Sequence, residues 1–141
     1  MASKSLMGEF QHSIDAKGRM NFPIKLRELL GFSFIVTKGL DGCLFVYSQE
    51  EWANLEARIK TKPLAEARQL SRYFFANACE VEADKQGRIL LPQNLREHAG
   101  LEKEVVVIGA SSRAEIWDKS RWQSICDDMD EESLIAALEG V

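Results

Sequence analysis

Asp15, Lys17, Gly18 and Arg19 stand together in the phrase DAKGR, and Asp84, Lys85, Gly87 and Arg88 stand in DKQGR, 69 positions further on. An arginine guanidinium is a planar fork of donors that matches the O6/N7 edge of guanine or the oxygens of a phosphate. A lysine beside it adds a mobile point charge suited to phosphates. Glycine carries no side chain, and Gly18 and Gly87 are read as clearing space where backbone would approach a duplex. Asp15 and Asp84 suit orienting the arginines or accepting turn N–H groups, which is a structural task. The same residues also make a plain hairpin turn with an Asp–Arg ion pair, because most charged turns are only solvated. Lys25, Arg27 and Arg96 follow each phrase and read as a solvated helix face.

Such turns need strands on both sides. In each copy a short strand (EFQHSI, CEVEA) enters an Asp-x-x-Gly turn and a second strand (RMNF, RILL) leaves it. Pro23 and Pro92 then suit the first position of short helices ending at Gly31 and Gly100. Two further strands follow in each copy, SFIVTKG with CLFVYS and EVVVIGA with AEIWD. Ser48 and Glu51 form a capping box, Asp118 is placed to cap, and Pro63 opens a further helix, PLAEARQLSRYFFANA. EESLIAALE would be its counterpart in the second copy. The order is therefore (β-β-α-β-β)-α-α, written twice.

The matches are extensive. Asp15, Gly18, Arg19, Pro23, Leu26, Arg27, Glu28 and Gly31 recur as Asp84, Gly87, Arg88, Pro92, Leu95, Arg96, Glu97 and Gly100, and after a one-residue shift Gly39 and Trp52 recur as Gly109 and Trp122. Fixed-period self-similarity of this kind marks an internal duplication. The copies are not identical at the turn tip: Ala16 and Lys17 align with Lys85 and Gln86, so the lysine changes place. A unit of about 45 residues is marginal alone, so the copies are expected to pair as an intramolecular pseudo-dimer. Trp52, Trp122, Tyr73, Phe74 and Phe75 read as core or subunit-interface residues, and RYFFANA as a candidate interface stretch.

The 141 residues, 45% hydrophobic and 28% charged, are those of one ordinary globular domain. No apolar run approaches the ~18–20 residues of a membrane span, and MASKSLMGEF does not read as a secretory signal. Cys43, Cys79 and Cys126 are odd in number and without CxxC spacing, which fits a reducing cytoplasm and neither a disulfide framework nor a zinc site. His12 and His98 lack ligand-spaced neighbours. The net charge of −4 is unevenly spread: residues 127–141 hold six acids and no Lys or Arg, leaving 18 basic against 16 acidic residues elsewhere. Residues 12–27 set Lys17, Arg19, Lys25 and Arg27 against Asp15 alone, a net of +3. Phosphate binding follows such local patches rather than the whole-chain sum. No HExxH, P-loop or paired nucleophile–base set is present, so an enzyme, a cofactor or a small-molecule substrate is not expected.

Two D-x-x-x-R motifs, each followed by an apolar strand, a proline and an LRE helix, together with LREHAGL and EIWD before Trp122, resemble the MraZ family. The resemblance covers nearly the whole chain and implies two tandem SpoVT/AbrB-type swapped-hairpin units. The expected fold is thus α+β, with a pseudo-two-fold β-barrel-like core, a helical linker and C-terminal helices. The units are drawn at 8–54 and 77–124, the linker at 55–76 and the acidic tail at 125–141. The resemblance further implies a bacterial transcriptional regulator of the division and cell-wall gene cluster, cytoplasmic and nucleoid-associated. It would bind short direct repeats in promoter double-stranded DNA as a homo-oligomeric ring. In that family the D-x-x-x-R residues are implicated in DNA contact, which places the DNA-binding set at Asp15, Lys17, Gly18, Arg19, Asp84, Lys85, Gly87 and Arg88. Two other readings stand beside it: an oligomeric scaffold without specific DNA binding, and an antitoxin-like relative, against which the two full copies count.

Overall fold

The structure, a computed structural model, describes residues 5–141, so the first four residues of MASKSLMGEF lie outside the described residues. The first copy supplies β1 (Glu9–Ser13), β2 (Arg19–Asn21), α1 (Ile24–Leu30), β3 (Ser33–Lys38), β4 (Leu44–Tyr47), α2 (Gln49–Lys60) and α3 (Leu64–Phe74). The second supplies β5 (Cys79–Glu82), β6 (Arg88–Leu90), α4 (Gln93–Ala99), β7 (Glu104–Gly109), β8 (Ala114–Asp118), α5 (Lys119–Asp128) and α6 (Glu131–Leu138). The order expected from the sequence is the order found, in an α+β fold. Helix starts follow local chemistry. Ser48 accepts the Glu51 N–H at 3.1 Å, and Asp118 accepts the N–H groups of Ser120 and Arg121. Pro23, Pro63 and Pro92 sit one residue ahead of their helices rather than inside them, and their carbonyls take the first helical N–H groups.

The copies do not fold side by side; they exchange strands. β1 pairs antiparallel with β7 of the other copy, and β5 pairs in the equivalent way with β3. β4 and β8 meet at the centre, giving the six-stranded order β1-β7-β8-β4-β3-β5. This order maps onto itself when the copies are interchanged. β2 and β6 form a separate two-stranded ribbon. The ladder thus ends at β1 and β5, and the chain continues from each through its turn into the ribbon.

Alternation along the central strands splits the core. Phe34 and Val36 of β3, Leu44 and Val46 of β4, Val105 and Val107 of β7 and Ile116 of β8 face one cluster, closed by Met20, Ile89, Leu26 and Leu95 from the ribbon and short helices. The opposite face holds Phe45, Tyr47, Trp117, Phe74 and Cys43, with Trp52, Tyr73, Phe75 and Trp122 against them. RYFFANA therefore packs on the chain's own sheet: Phe74 is buried, and its carbonyl accepts the buried Thr37 hydroxyl at 2.6 Å. Buried Glu115 is satisfied by Arg113 and by the Trp117 indole N–H at 3.0 Å. Burial pushes the Cys43 thiol up to about 12. No helix among the described residues is long and apolar enough to cross a membrane.

Candidate nucleic-acid interface

Each D-x-x-G-R phrase builds the same hairpin loop. In the first turn the Gly18 N–H bonds the Asp15 carbonyl at 3.0 Å, and the Asp15 N–H bonds the Arg19 carbonyl at 2.9 Å. In the second turn Gly87 and Asp84 make the corresponding bonds at 2.9 and 2.8 Å. Gly18 and Gly87 hold φ values of +90° and +81°, the positive region that lets a three-residue hairpin loop rejoin its strand. Asp15 Oδ1 accepts the N–H groups of Lys17 and Arg19, both at 2.9 Å, while Oδ2 accepts Arg19 Nε at 3.1 Å. Asp84 does the same for Gln86, Arg88 and Arg88 Nε. The aspartates therefore shape the loops and hold one edge of each guanidinium. Both carboxyls lie below the usual aspartate value: the Arg19 and Arg88 backbone N–H groups contribute most, and the guanidinium and second turn N–H add to it against opposing desolvation.

The ribbon joins the two turns, one at each of its ends. Arg19 pairs with Leu90, Met20 with Ile89, and Asn21 with Arg88. Met20 and Ile89 point inward and are 1% exposed, so Arg19, Asn21, Arg88 and Leu90 share the outward face. Two strand residues, roughly 7 Å, separate the arginines along the ribbon. Their side chains are 39% and 33% exposed, and Lys17 and Lys85 lie exposed at the turn tips. Asp15, Lys17, Arg19, Asp84, Lys85 and Arg88 are therefore at least partly exposed around this ribbon, whereas Gly18 and Gly87 are buried against arginines of the opposite copy, which corrects the expectation that they clear space for a duplex. Asn21 and Leu90 were missed. Their signal was available, as the positions two beyond each motif arginine on the same face of an alternating strand.

Arg27 and Arg96, expected on a solvated helix face, are half-buried instead. Each reaches across to the other copy. Arg96 Nε donates to the Leu91 carbonyl at 3.0 Å and Nη1 reaches the Ala16 carbonyl at 3.5 Å, which lays the guanidinium under the first turn. A Cβ built on Gly18 would stand 2.6 Å from the Leu91 oxygen and 2.7 Å from Arg96 Nε. Arg27 Nε donates to the Phe22 carbonyl at 3.2 Å, and its Nη2 would stand 3.0 Å from a Cβ on Gly87. The backbone completes the interlock, with Leu91 N–H on the Gly18 carbonyl at 2.8 Å and Phe22 N–H on the Gly87 carbonyl at 3.1 Å. The space beside each glycine Cα is thus filled by the partner copy's arginine. Lys25 is exposed, as expected.

Strand exchange, the self-symmetric sheet and a matched pair of Asp–Arg turns on one ribbon define an internally duplicated α+β protein with interlocked halves. A family model described as "MraZ protein, putative antitoxin-like" matches residues 5–71 and again 74–140. The chain belongs to the MraZ family. Relatives named "Transcriptional regulator MraZ" include one from Acetivibrio thermocellus, 62% identical over 123 residues, with 86% of each chain covered. Others come from Thermoanaerobacter sp., 58% identical with 89% of each chain covered, and Heliobacterium modesticaldum, 60% identical with 82% of each covered.

Proposed function

We propose that the chain is a sequence-specific double-stranded-DNA-binding transcriptional regulator, and not an enzyme. One observation carries this reading: Arg19 and Arg88 stand on the same outward face of a two-stranded ribbon, flanked by exposed Lys17 and Lys85. The major groove, about 12 Å wide, admits such a ribbon. With Nε tied to the turn aspartate, each arginine keeps its terminal amino groups for guanine O6 and N7, while the lysines meet phosphates. The relatives' name supports the regulatory role. Within this reading the protein represses the division and cell-wall gene cluster, binding short direct promoter repeats, and is cytoplasmic and nucleoid-associated. Residues 8–54 and 77–124 are the swapped-hairpin units of a barrel-like core, 55–76 the linker and 125–141 the tail.

Self-association into a ring completes the reading, because several weak contacts then sum to useful affinity. Supporting it, Phe32 and Leu64 are each 80% exposed, and α6 leaves Leu134, Ile135 and Leu138 open to solvent. A gel-shift titration of a promoter fragment from that gene cluster with wild type, Arg19→Ala and Arg88→Ala tests the assignment. Binding that weakens in each variant and falls steeply with salt is expected. Unchanged binding in both variants sinks the contact assignment, and no wild-type binding favours a scaffold.

A further inference from the structure

The duplication makes the outward ribbon face nearly two-fold symmetric, and a symmetric face reads a palindrome. Two positions on that face break the symmetry. Asn21 and Leu90 occupy equivalent places, each two residues beyond its motif arginine, yet one is an amide and the other a hydrocarbon. Both are exposed, Leu90 to 59%. The register sets each beside the arginine of the opposite copy, Asn21 across from Arg88 and Leu90 across from Arg19. Directly opposed side chains on one face lie about 5 Å apart. That places each pair within reach of neighbouring bases, at about 3.4 Å per base pair.

We infer that Asn21 and Leu90 determine base identity next to the two arginine contacts, the first reading adenine and the second thymine. This rests on the DNA-binding reading above. The chemistry at the two ends differs in kind. An asparagine amide presents an N–H donor beside a carbonyl acceptor, the pair that adenine N7 and N6–H complement in the major groove. Leucine offers no hydrogen bond; its partner is the thymine methyl, and a polar base edge left against it loses its water without a replacement. The Arg88–Asn21 end therefore selects guanine beside adenine, and the Arg19–Leu90 end selects guanine beside thymine. The shifted tip lysine, Lys17 at one end and Lys85 one place earlier at the other, reinforces the inequality through the phosphates.

The test is selection from a library of random duplexes by the full-length wild type, Asn21→Leu, Leu90→Asn and the double exchange. Wild type is expected to enrich guanine beside adenine at one end and guanine beside thymine at the other. Asn21→Leu should remove the adenine preference at one position, by about 5- to 150-fold, and leave the other positions unchanged. Leu90→Asn should create an adenine preference at the opposite end. Both side chains are outside the core, so melting temperatures should stay near wild type, and Asn21→Gln, which retains the amide, should keep the adenine preference. The same enriched element in wild type and both single variants overturns the inference while leaving DNA binding standing. Failure of the wild type to enrich any duplex overturns the DNA-binding reading and the inference together.

Discussion

Replacing Arg19 by lysine keeps the charge of the first turn and removes its fork. In the turn Arg19 Nε lies 3.1 Å from Asp15 Oδ2, so four of the five guanidinium N–H donors remain for a base edge. A bidentate arginine–guanine pair discriminates by roughly 1–3 kcal/mol, which is about 5- to 150-fold in affinity. A lysine ammonium cannot reproduce that geometry, and its charge is drawn to the same Asp15 carboxylate. The number of cations is unchanged, so the slope of log affinity against log salt should stay at the wild-type value. Fluorescence anisotropy from about 50 to 200 mM salt, on a cognate duplex and on one with its guanines exchanged, separates the two effects. Arg19→Lys should lose affinity for the cognate duplex and keep it for the exchanged one. Equal binding to the cognate duplex, within about twofold or ~0.4 kcal/mol, would refute base reading by Arg19.

Gly18→Ala should cost at least about 1–2 kcal/mol in urea unfolding, from the positive φ alone, and more because the new Cβ meets the Leu91 backbone oxygen. Arg96→Ala should loosen the first turn from the opposite copy; its effect on DNA affinity should be non-additive with Arg19→Ala and additive with Arg88→Ala in a double-mutant cycle. Arg113→Ala removes the cation paired with the buried Glu115 carboxylate and leaves it only the Trp117 indole N–H. Breaking such pairs costs about 3–5 kcal/mol, reduced toward ~2 by the partial exposure of Arg113, and calorimetry should show it with DNA affinity of the folded protein unchanged. The Asp15 and Asp84 carboxyls are lowered below 3.8 in the fold, so the order they give the turns is fully present above that pH and is lost as pH falls through the lower folded values. Amide NMR shifts of Lys17, Arg19, Gln86 and Arg88 should move together in that acidic range and stay flat between pH 5 and 8.

Local order was legible because local chemistry sets it. Asp-x-x-Gly fixed both turns, Ser48 and Asp118 fixed helix starts, and period-two alternation marked the strands. The prolines fell one residue off because a proline carbonyl serves the first helical N–H as readily from the cap as from the first turn. Long-range pairing was not legible. Nothing in EFQHS states that it pairs with EVVVI of the other copy, since antiparallel neighbours are chosen by the packed core as a whole. Arg27 and Arg96 were misread for the same reason: a long arginine on a short helix looks solvated until the opposite turn is laid over it. Asn21 and Leu90 were legible as outward positions two beyond each motif arginine, but only the ribbon register shows each one beside the arginine of the opposite copy.

Base reading by the paired arginines is decided by hydroxyl-radical footprinting of a promoter fragment from the division and cell-wall gene cluster proposed above. Short protected segments at regular spacing are expected with wild type and should be lost with the Arg19→Ala/Arg88→Ala double variant, whose fold is checked by circular dichroism. Uniform cleavage with the wild type, or protection that survives the double variant unchanged, would contradict base reading by the arginines.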